Sequence, residues 1–425
     1  MEIEQLHQLF LQSSGVSTDT RQIKKNSIFF ALKGANFNGN NFAVQALEAG
    51  AIYAVLDEKT SEENDHFIMV DNALKMLQEL ASFHRNYLAL PVISLTGSNG
   101  KTTTKELINA VLSKKYKTSA TRGNLNNHIG VPLTLLEMNH NTEIGIVEMG
   151  ANHQKEIEFL CGIAQPDFGY ITNFGKAHLE GFGSLEGVIK GKSELYTYLK
   201  EHQKMLFLNA DDPVQQKELA YEETFSFGST PESDIHLHFP DSTDFAAIEH
   251  KDLRIESKLT GAYNAKNMAA AFCIGKYFKV DEKDIKEALE SYSPQNNRSQ
   301  IIEKGNTKII LDAYNANPTS MAAAIENFEN LREGPKMAFL GDMFEMGAMA
   351  EEEHQELVQK LQESTIDQVF LIGENFFKTT SGEKIKKFRS FEEFKLAFNP
   401  KETEDKLLLI KGSRGMALER IVDIL

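Results

Sequence analysis

At 425 residues the chain exceeds what one hydrophobic core can hold, so two or three domains are expected. Hydrophobic residues at 41% and charged residues at 25% match ordinary globular chains and exclude disordered, collagenous and coiled-coil classes. The 61 Asp and Glu against 45 Lys and Arg leave a formal net charge of −16, a field that repels nucleic acid, so an anionic ligand must be held by local amides, placed cations or a metal.

Cys161 and Cys273 lie far apart in apolar settings and read as small core hydrophobes rather than a bridge, which fits a reducing compartment. Met1-Glu-Ile-Glu is acidic where a secretory leader needs cations, and no run approaches the ~18 apolar residues of a membrane span. A cytoplasmic protein without a membrane span is the expectation.

In chain order, IFFAL and AIYAVL read as short strands around a helical stretch from Phe42 to Ala49 that stops at Gly50. A helical pattern from Ala73 to Tyr87 closes this small α/β unit, and a first boundary falls near residue 88. Pro91 opens the strand VISLT, which runs into the glycine turn Gly97-Ser-Asn-Gly and then the helical segment TTTKELINAVL. Apolar runs at IGIVEM, DFGYITNF and MLFLNA alternate with helical stretches, the order that builds a parallel sheet. Ser291-Tyr-Ser-Pro-Gln-Asn-Asn is polar and turn-rich, placing a second boundary near residue 296. Beyond it, KIILDAY, KMAFLGDM, QVFLIGE and KLLLIKG alternate with helices as in a doubly wound third domain. The expected division is 1–88, 89–296 and 297–425, an α/β protein throughout.

Thr96-Gly-Ser-Asn-Gly-Lys-Thr-Thr lies between a strand and a helix, the context in which successive amides and a helix N-terminus cradle phosphates. Lys101 would reach the outer phosphates and Thr102 would offer its hydroxyl to Mg²⁺. Leu95 stands where the usual pattern has its first glycine. Glu148, at the end of IGIV, is either a metal-binding carboxylate beside that loop or an ordinary strand-end glutamate. His178 sits in a glycine-flanked loop after FGYITNF, and its residue type leaves both a ligand role and a structural one open.

Lys192 is anomalous. In the helical pattern from Leu185 to Leu199 it falls inside the stripe of Leu185, Val188, Ile189, Leu195, Tyr196 and Leu199. Periodicity alone favours a lysine that packs its stem and sends its head to water. The alternative is a desolvated, neutral amine that takes up CO₂ as a carbamate and so becomes an oxygen ligand for Mg²⁺. Asp312 with Tyr314-Asn-Ala-Asn-Pro, and Lys411-Gly-Ser-Arg-Gly, occupy ligand-facing strand ends of an open sheet, yet turn chemistry accounts for the same residues.

These segments, taken together, resemble the Mur ligases over nearly the whole chain. The likeness is carried by Asp19-Thr-Arg, Phe30-Ala-Leu-Lys-Gly, TGSNGKTTTKE, Gly123-Asn-Leu-Asn-Asn-His-Ile-Gly-Val-Pro, Glu148-Met-Gly-Ala-Asn-His, AHLEGFGSLEGV, Gly261-Ala-Tyr-Asn-Ala-Lys-Asn, LDAYNANPTSM, GDMFEMG and KGSRG. The resemblance implies a small N-terminal α/β domain, a central P-loop-type parallel-sheet ATPase domain and a C-terminal Rossmann-like domain. It implies a monomeric ligase that joins D-alanyl-D-alanine to UDP-N-acetylmuramoyl-tripeptide through an acyl phosphate, using ATP and two Mg²⁺ ions.

Carried onto this chain, the resemblance puts ATP phosphates on Gly97, Ser98, Asn99, Gly100, Lys101, Thr102 and Thr103. One Mg²⁺ falls to Thr102 and Glu148, the second to His178 and carbamylated Lys192. Asn264 and Asn267 resemble the adenine-side asparagines, Tyr263 standing where the family often has His, and Arg298 and Asp312 resemble contacts to phosphate and ribose. Thr20, Arg21, Lys33 and Gly34 resemble UDP-binding positions. Asn124, Asn126 and Asn127 face the nucleotide-linked substrate, with Lys411 and Arg414 on the third-domain side of the cleft. Two alternatives remain: another amino-acid-adding relative, and a nucleotide-binding relative without chemistry. The set Lys101, Glu148, His178 and Lys192 argues against the latter.

Overall fold

The computed structural model describes residues 1–60, 64–240, 244–294, 297–332 and 334–425. The expected boundary at residue 296 therefore lies outside the described residues.

Three sheets follow one another along the chain. The first has the strands Val16–Ser17, Ile28–Phe30, Tyr53–Leu56 and Phe67–Met69 side by side, all parallel. Helix Ala73–Leu88 begins where the Asn72 side chain accepts from Lys75 N at 2.8 Å and ends at Ala89, in the left-handed region. It packs on helices Gly130–Leu136 and Glu156–Ala164, and so joins the first layer to the central one.

The central sheet has seven strands in the order Ile235–His236, Thr224–Gly228, Met205–Asn209, Phe168–Ile171, Val92–Thr96, Ile144–Glu148 and Thr118–Ala120, every pair parallel. Strand Val92–Thr96 is buried at all five positions because helices cover both faces, which is why it reads as a continuous apolar run. The chain first builds outward to one side of this strand and then crosses to the other. The carboxyl ends of Val92–Thr96, Ile144–Glu148 and Phe168–Ile171 therefore meet at a switch point, where an open sheet leaves a crevice.

The third sheet has six strands in the order Gln300–Lys304, Thr307–Asp312, Leu407–Lys411, Lys336–Gly341, Gln368–Ile372 and Ile385–Phe388. Only the first pair is antiparallel. Its core includes Phe339, Phe370, Phe394 and Phe398, packed edge to face and stacked.

The sequence reading lacks several of these pieces: helix Ile3–Gln12, strands Thr118–Ala120, Thr224–Gly228, Ile235–His236, Gln300–Lys304 and Ile385–Phe388, and the antiparallel ribbon Ala247–His250 with Leu253–Glu256. The strands among them are short, and most carry polar residues, so partners in the sheet rather than apolar runs define them. The stretch read as one helix from Phe42 is a 3₁₀ turn, Gly39–Phe42, continued by helix Ala43–Glu48. Both cysteines are buried and free. Among the described residues no helix is long and apolar enough to cross a membrane.

Candidate active site

A cavity of about 1580 Å³ opens above the switch point and is walled by residues from all three layers, from Asn72 and Lys75 to Lys411. Of the residues singled out in the sequence, Ser98, Asn99, Gly100, Lys101, Thr102, Thr103, Asn124, Asn126, Asn127, Glu148, His178, Asn264, Asn267, Arg298, Asp312 and Lys411 line it. Thr20, Arg21, Lys33, Gly34, Gly97, Lys192 and Arg414 do not.

The glycine turn has its shape for backbone reasons. Gly97 has φ +144°, and a Cβ there would stand 2.0 Å from Thr172 Oγ1; at Gly100, with φ +77°, it would stand 2.8 Å from Asn267 Oδ1. The neighbouring strand end clamps the turn: Ser98 N donates to Asn173 O at 3.0 Å, Asn99 N to Asn173 Oδ1 at 3.0 Å, and Thr172 Oγ1 to Asn99 O at 2.6 Å. The amides of Ser98 and Asn99 are thus committed inside the protein. The first amide to close a bond in helix Lys101–Leu112 is Thr104 N, to Gly100 O at 2.8 Å. The amides of Lys101, Thr102 and Thr103 are therefore the helix-start donors available to an anion, with the helix dipole behind them. Lys101 Nζ donates to Gly97 O at 2.8 Å and Ser98 O at 3.3 Å, folded over the turn it belongs to. Burial lowers its pKa, the nearby Glu148 charge opposes this, and Arg298 adds to it.

Glu148 is 1% exposed. Thr102 Oγ1 donates to its Oε2 at 2.8 Å and Asn126 Nδ2 to its Oε1 at 2.8 Å, while its own amide donates to Thr121 Oγ1 at 2.9 Å. Both carboxylate oxygens are thus held by neutral donors. Among the described residues no cation lies at hydrogen-bond range of this carboxylate, and a buried carboxylate beside a phosphate-type turn is an oxygen donor suited to a divalent ion. Among the described residues no three His, Cys, Asp or Glu side chains converge as a metal cluster.

Lys192 is 0% exposed on helix Leu185–Glu201, whose Ser184 cap accepts from Gly187 N at 3.2 Å. Its Nζ donates to Ala151 O at 2.9 Å and lies 5.1 Å from the centre of the Phe182 ring. The head does not escape to water, which overturns the periodicity reading. Loss of water lowers its pKa well below the ordinary lysine value; the Lys101 charge adds to this, while Glu156 and Glu194 oppose it. His178, with φ +52°, bonds through Nδ1 to Glu345 Oε2 of the third sheet's loops.

At the opposite wall, Asn267 Nδ2 donates to Asn264 Oδ1 at 2.9 Å, Asn264 Nδ2 to Thr260 O at 2.7 Å, and Thr104 Oγ1 to Asn267 Oδ1 at 3.0 Å. This buried amide chain ties helix Ala262–Tyr277 to the phosphate-turn helix. Burial raises the pKa of Tyr263, whose hydroxyl pairs with Ser299 Oγ at 3.1 Å. Arg298 stacks 3.6 Å over the Tyr314 ring and Arg414 lies 5.7 Å from it. Lys411 pairs with Asp312 and donates to Asn315 O at 3.3 Å.

Some singled-out residues have structural duties. Asn127 Oδ1 accepts from Ile129 N at 3.1 Å and Gly130 N at 2.9 Å in the turn that leads into helix Gly130–Leu136. Arg21 pairs with Asp19, which it holds down to a pKa of about 2, and Lys33 pairs with Asp57 at 3.1 Å and Glu58 at 2.8 Å. Asn173, Asn317 and Glu345 are not named as site residues from the sequence, although Asn317 lies in Tyr314-Asn-Ala-Asn-Pro and Glu345 in GDMFEMG. Asn317 Nδ2 donates to Asn99 Oδ1 at 2.7 Å across the cleft while its own Oδ1 caps helix Pro318–Asn330, the role that the Asn-Pro-Thr-Ser cap signal marks in the sequence.

Three family models match in order: "Mur ligase family, catalytic domain" over 12–85, "Mur ligase middle domain" over 95–275, and "Mur ligase, glutamate ligase domain" over 297–414. The chain is 37% identical to the UDP-N-acetylmuramoyl-tripeptide–D-alanyl-D-alanine ligase of Bacillus subtilis, over 96% of this chain and 92% of that one. The chain belongs to the Mur ligase family. A ligase of the same name from Escherichia coli is 31% identical over 96% of this chain and 92% of its own. A crystal structure of MurF from Acinetobacter baumannii superposes with a TM-score of 0.86 at 30% identity, covering 99% of this chain and 98% of that one. MurF of Thermotoga maritima in complex with ADP gives 0.83 at 28% identity, over 98% and 97%. A Mur ligase here means three α/β units whose loops share one cleft, and that is the arrangement around Glu148.

Proposed function

We propose that this Mur ligase acts in the cytoplasm as a monomer and joins D-alanyl-D-alanine to UDP-N-acetylmuramoyl-tripeptide, with ATP converted to ADP and phosphate. The observation that carries the reading is buried Glu148, clamped to Thr102 beside Lys101 in a cavity walled by all three layers. The names of the full-length relatives and the ADP complex of the T. maritima protein support it.

In this reading the helix-start amides and Lys101 hold the ATP phosphates, the Asn264–Asn267 chain serves the adenine side, and Arg298 and Asp312 contact phosphate and ribose. Thr20, Arg21, Lys33 and Gly34 serve the UDP end, away from the cavity. Asn124, Asn126 and Asn127 meet the nucleotide-linked substrate, and Lys411 and Arg414 serve the third-sheet side of the cleft. Bound Mg²⁺, one ion on Thr102 and Glu148 and one on His178 and a carbamate of Lys192, would neutralise charge on the phosphoryl oxygens. Such a carbamate would form by attack of the unprotonated Lys192 amine on CO₂ with loss of one amine proton, which a lowered pKa favours.

The substrate carboxylate attacks the γ-phosphorus and ADP leaves, with Lys101 placed to offset the charge that spreads over the phosphoryl oxygens. The dipeptide amine then attacks the acyl carbon of the acyl phosphate, and the tetrahedral adduct expels phosphate to leave an amide. Because water destroys an acyl phosphate, contacts that seat the third layer on the second, Lys176 to Glu353 at 2.5 Å and Asn317 to Asn99, serve to exclude solvent.

Phosphate release from the purified protein should require ATP, Mg²⁺, UDP-muramoyl-tripeptide and D-alanyl-D-alanine together. Equal activity with single D-alanine in place of the dipeptide would refute the assignment.

A further inference from the structure

The imidazole of His178 and the carboxylate of Glu345 belong to different layers and meet at the cavity edge. His178 follows the central strand Phe168–Ile171; Glu345 follows the third-sheet strand Lys336–Gly341. Both are non-glycine residues in the left-handed region, His178 at φ +52° and Glu345 at φ +62°. Two such strained residues meeting in one hydrogen bond are held by more than local preference. The two segments also interlock through their backbones. Glu180 N donates to Glu345 O at 3.0 Å, and a Cβ on Gly347 would come 3.2 Å from Glu180 Cα.

An ionised carboxylate can only accept, so Nδ1 of His178 is the ring nitrogen that carries the proton, and in the neutral ring Nε2 keeps its lone pair. That is the tautomer a metal ligand needs, and a carboxylate on the far nitrogen is the usual way to fix it. Among the described residues the acceptor for Nδ1 comes from the third layer and not from the central one.

We propose that Glu345 is a positioning residue that fixes the orientation and tautomer of His178, so that a divalent cation is fully held only when the third layer is seated on the second. This rests on the reading of His178 as a cation ligand given above. Seating of the third layer and completion of the cation site are then one event, and the acyl phosphate cannot be made in an open cleft.

The test uses the full chain with Mn²⁺ as the probe and a non-hydrolysable ATP analogue at saturation, following bound Mn²⁺ by electron paramagnetic resonance and the His178 ring nitrogens by ¹⁵N correlation spectra. Glu345→Ala should weaken Mn²⁺ binding by about 10- to 100-fold and release His178 to a mixture of tautomers. Glu345→Gln keeps an acceptor oxygen and folds in the same loop, and should fall between the two. Unchanged Mn²⁺ affinity in both variants would overturn the inference while leaving the ligase reading intact. Absence of nucleotide-dependent Mn²⁺ binding in the unsubstituted protein would overturn the reading of the cation site, and this inference with it.

Discussion

Thr102 Oγ1 lies 2.8 Å from Glu148 Oε2 and donates to it, joining the first turn of the phosphate helix to the end of the adjacent strand. The pair is preformed, and among the described residues no cation lies within hydrogen-bond range of the carboxylate. Glu148→Gln keeps the shape but removes the charge: its single amide oxygen can accept from Asn126 Nδ2, while its NH2 must donate to the Thr102 hydroxyl instead of accepting from it. It should fold with an unchanged or raised Tm, while losing several kcal/mol of transition-state stabilisation, about a hundredfold or more in turnover. A variant with wild-type turnover over a Mg²⁺ titration would remove Glu148 from the site.

Lys101 spends its hydrogen bonds on the carbonyls of Gly97 and Ser98, where a phosphoryl oxygen can replace them without moving the stem far. Lys101→Ala should lose about 2–4 kcal/mol of transition-state stabilisation, by the scale of other preorganised donors. Steady-state kinetics on a variant with native circular dichroism reads this out, and retained kcat contradicts the role.

Lys192 places its amine in a dry setting, bonded to one carbonyl. Lys192→Met fills the same volume without a charge and should leave stability equal or raised by about 1–4 kcal/mol while abolishing ligation. Lys192→Ala should recover a little activity in formate or acetate, which can occupy the space of the missing carbamate. An active Lys192→Met protein ends the ligand reading; intact-protein mass spectra lacking one CO₂ under non-acidic conditions end the carbamate.

Asn267 connects Thr104 to Asn264 inside the protein, so truncating it leaves buried polar groups without partners. Asn267→Ala should cost about 1–3 kcal/mol of stability and raise the KM for ATP more than it lowers kcat. Denaturant melts and an ATP titration measure both. A fall in kcat alone would place Asn267 at the reacting atoms instead.

His7 and His84 share a hydrogen bond at 3.0 Å, and His84 Nε2 meets Met138 O at 3.0 Å, linking helix Ile3–Gln12 to the central layer. Burial depresses both pKa values, with the charge of His84 adding at His7; at His84 the Met138 carbonyl opposes and the charge of His140 adds. The unfolded chain therefore binds protons before the folded one does. Stability from this pair is complete above about pH 6.5 and is lost as pH falls through the depressed folded values. Thermal melts from about pH 8 to about pH 5 should show this decline, less steeply in His7→Phe. Identical slopes in the two proteins would refute it.

Much of the central machinery was legible because its signals are local. A buried parallel strand needs a continuous apolar run, a phosphate turn needs glycines at positive φ, and Val92–Thr96 followed by Gly97 to Lys101 shows both. The alternation of strands and helices from Pro91 to Leu425 was equally visible. Edge strands such as Thr118–Ala120 and Ile385–Phe388 were not, because hydrogen bonds to a neighbour, rather than side-chain pattern, define them.

The amino-acid order by itself determined the α/β class, the phosphate turn and the presence of a lysine inside an apolar helix stripe, since each follows from spacing within a few residues. The fate of that lysine, the neutral clamp on Glu148 and the meeting of His178 with Glu345 were decided only in three dimensions. Burial and charge pairing depend on what distant segments bring alongside: 167 residues separate His178 from Glu345, and no local rule spans that gap.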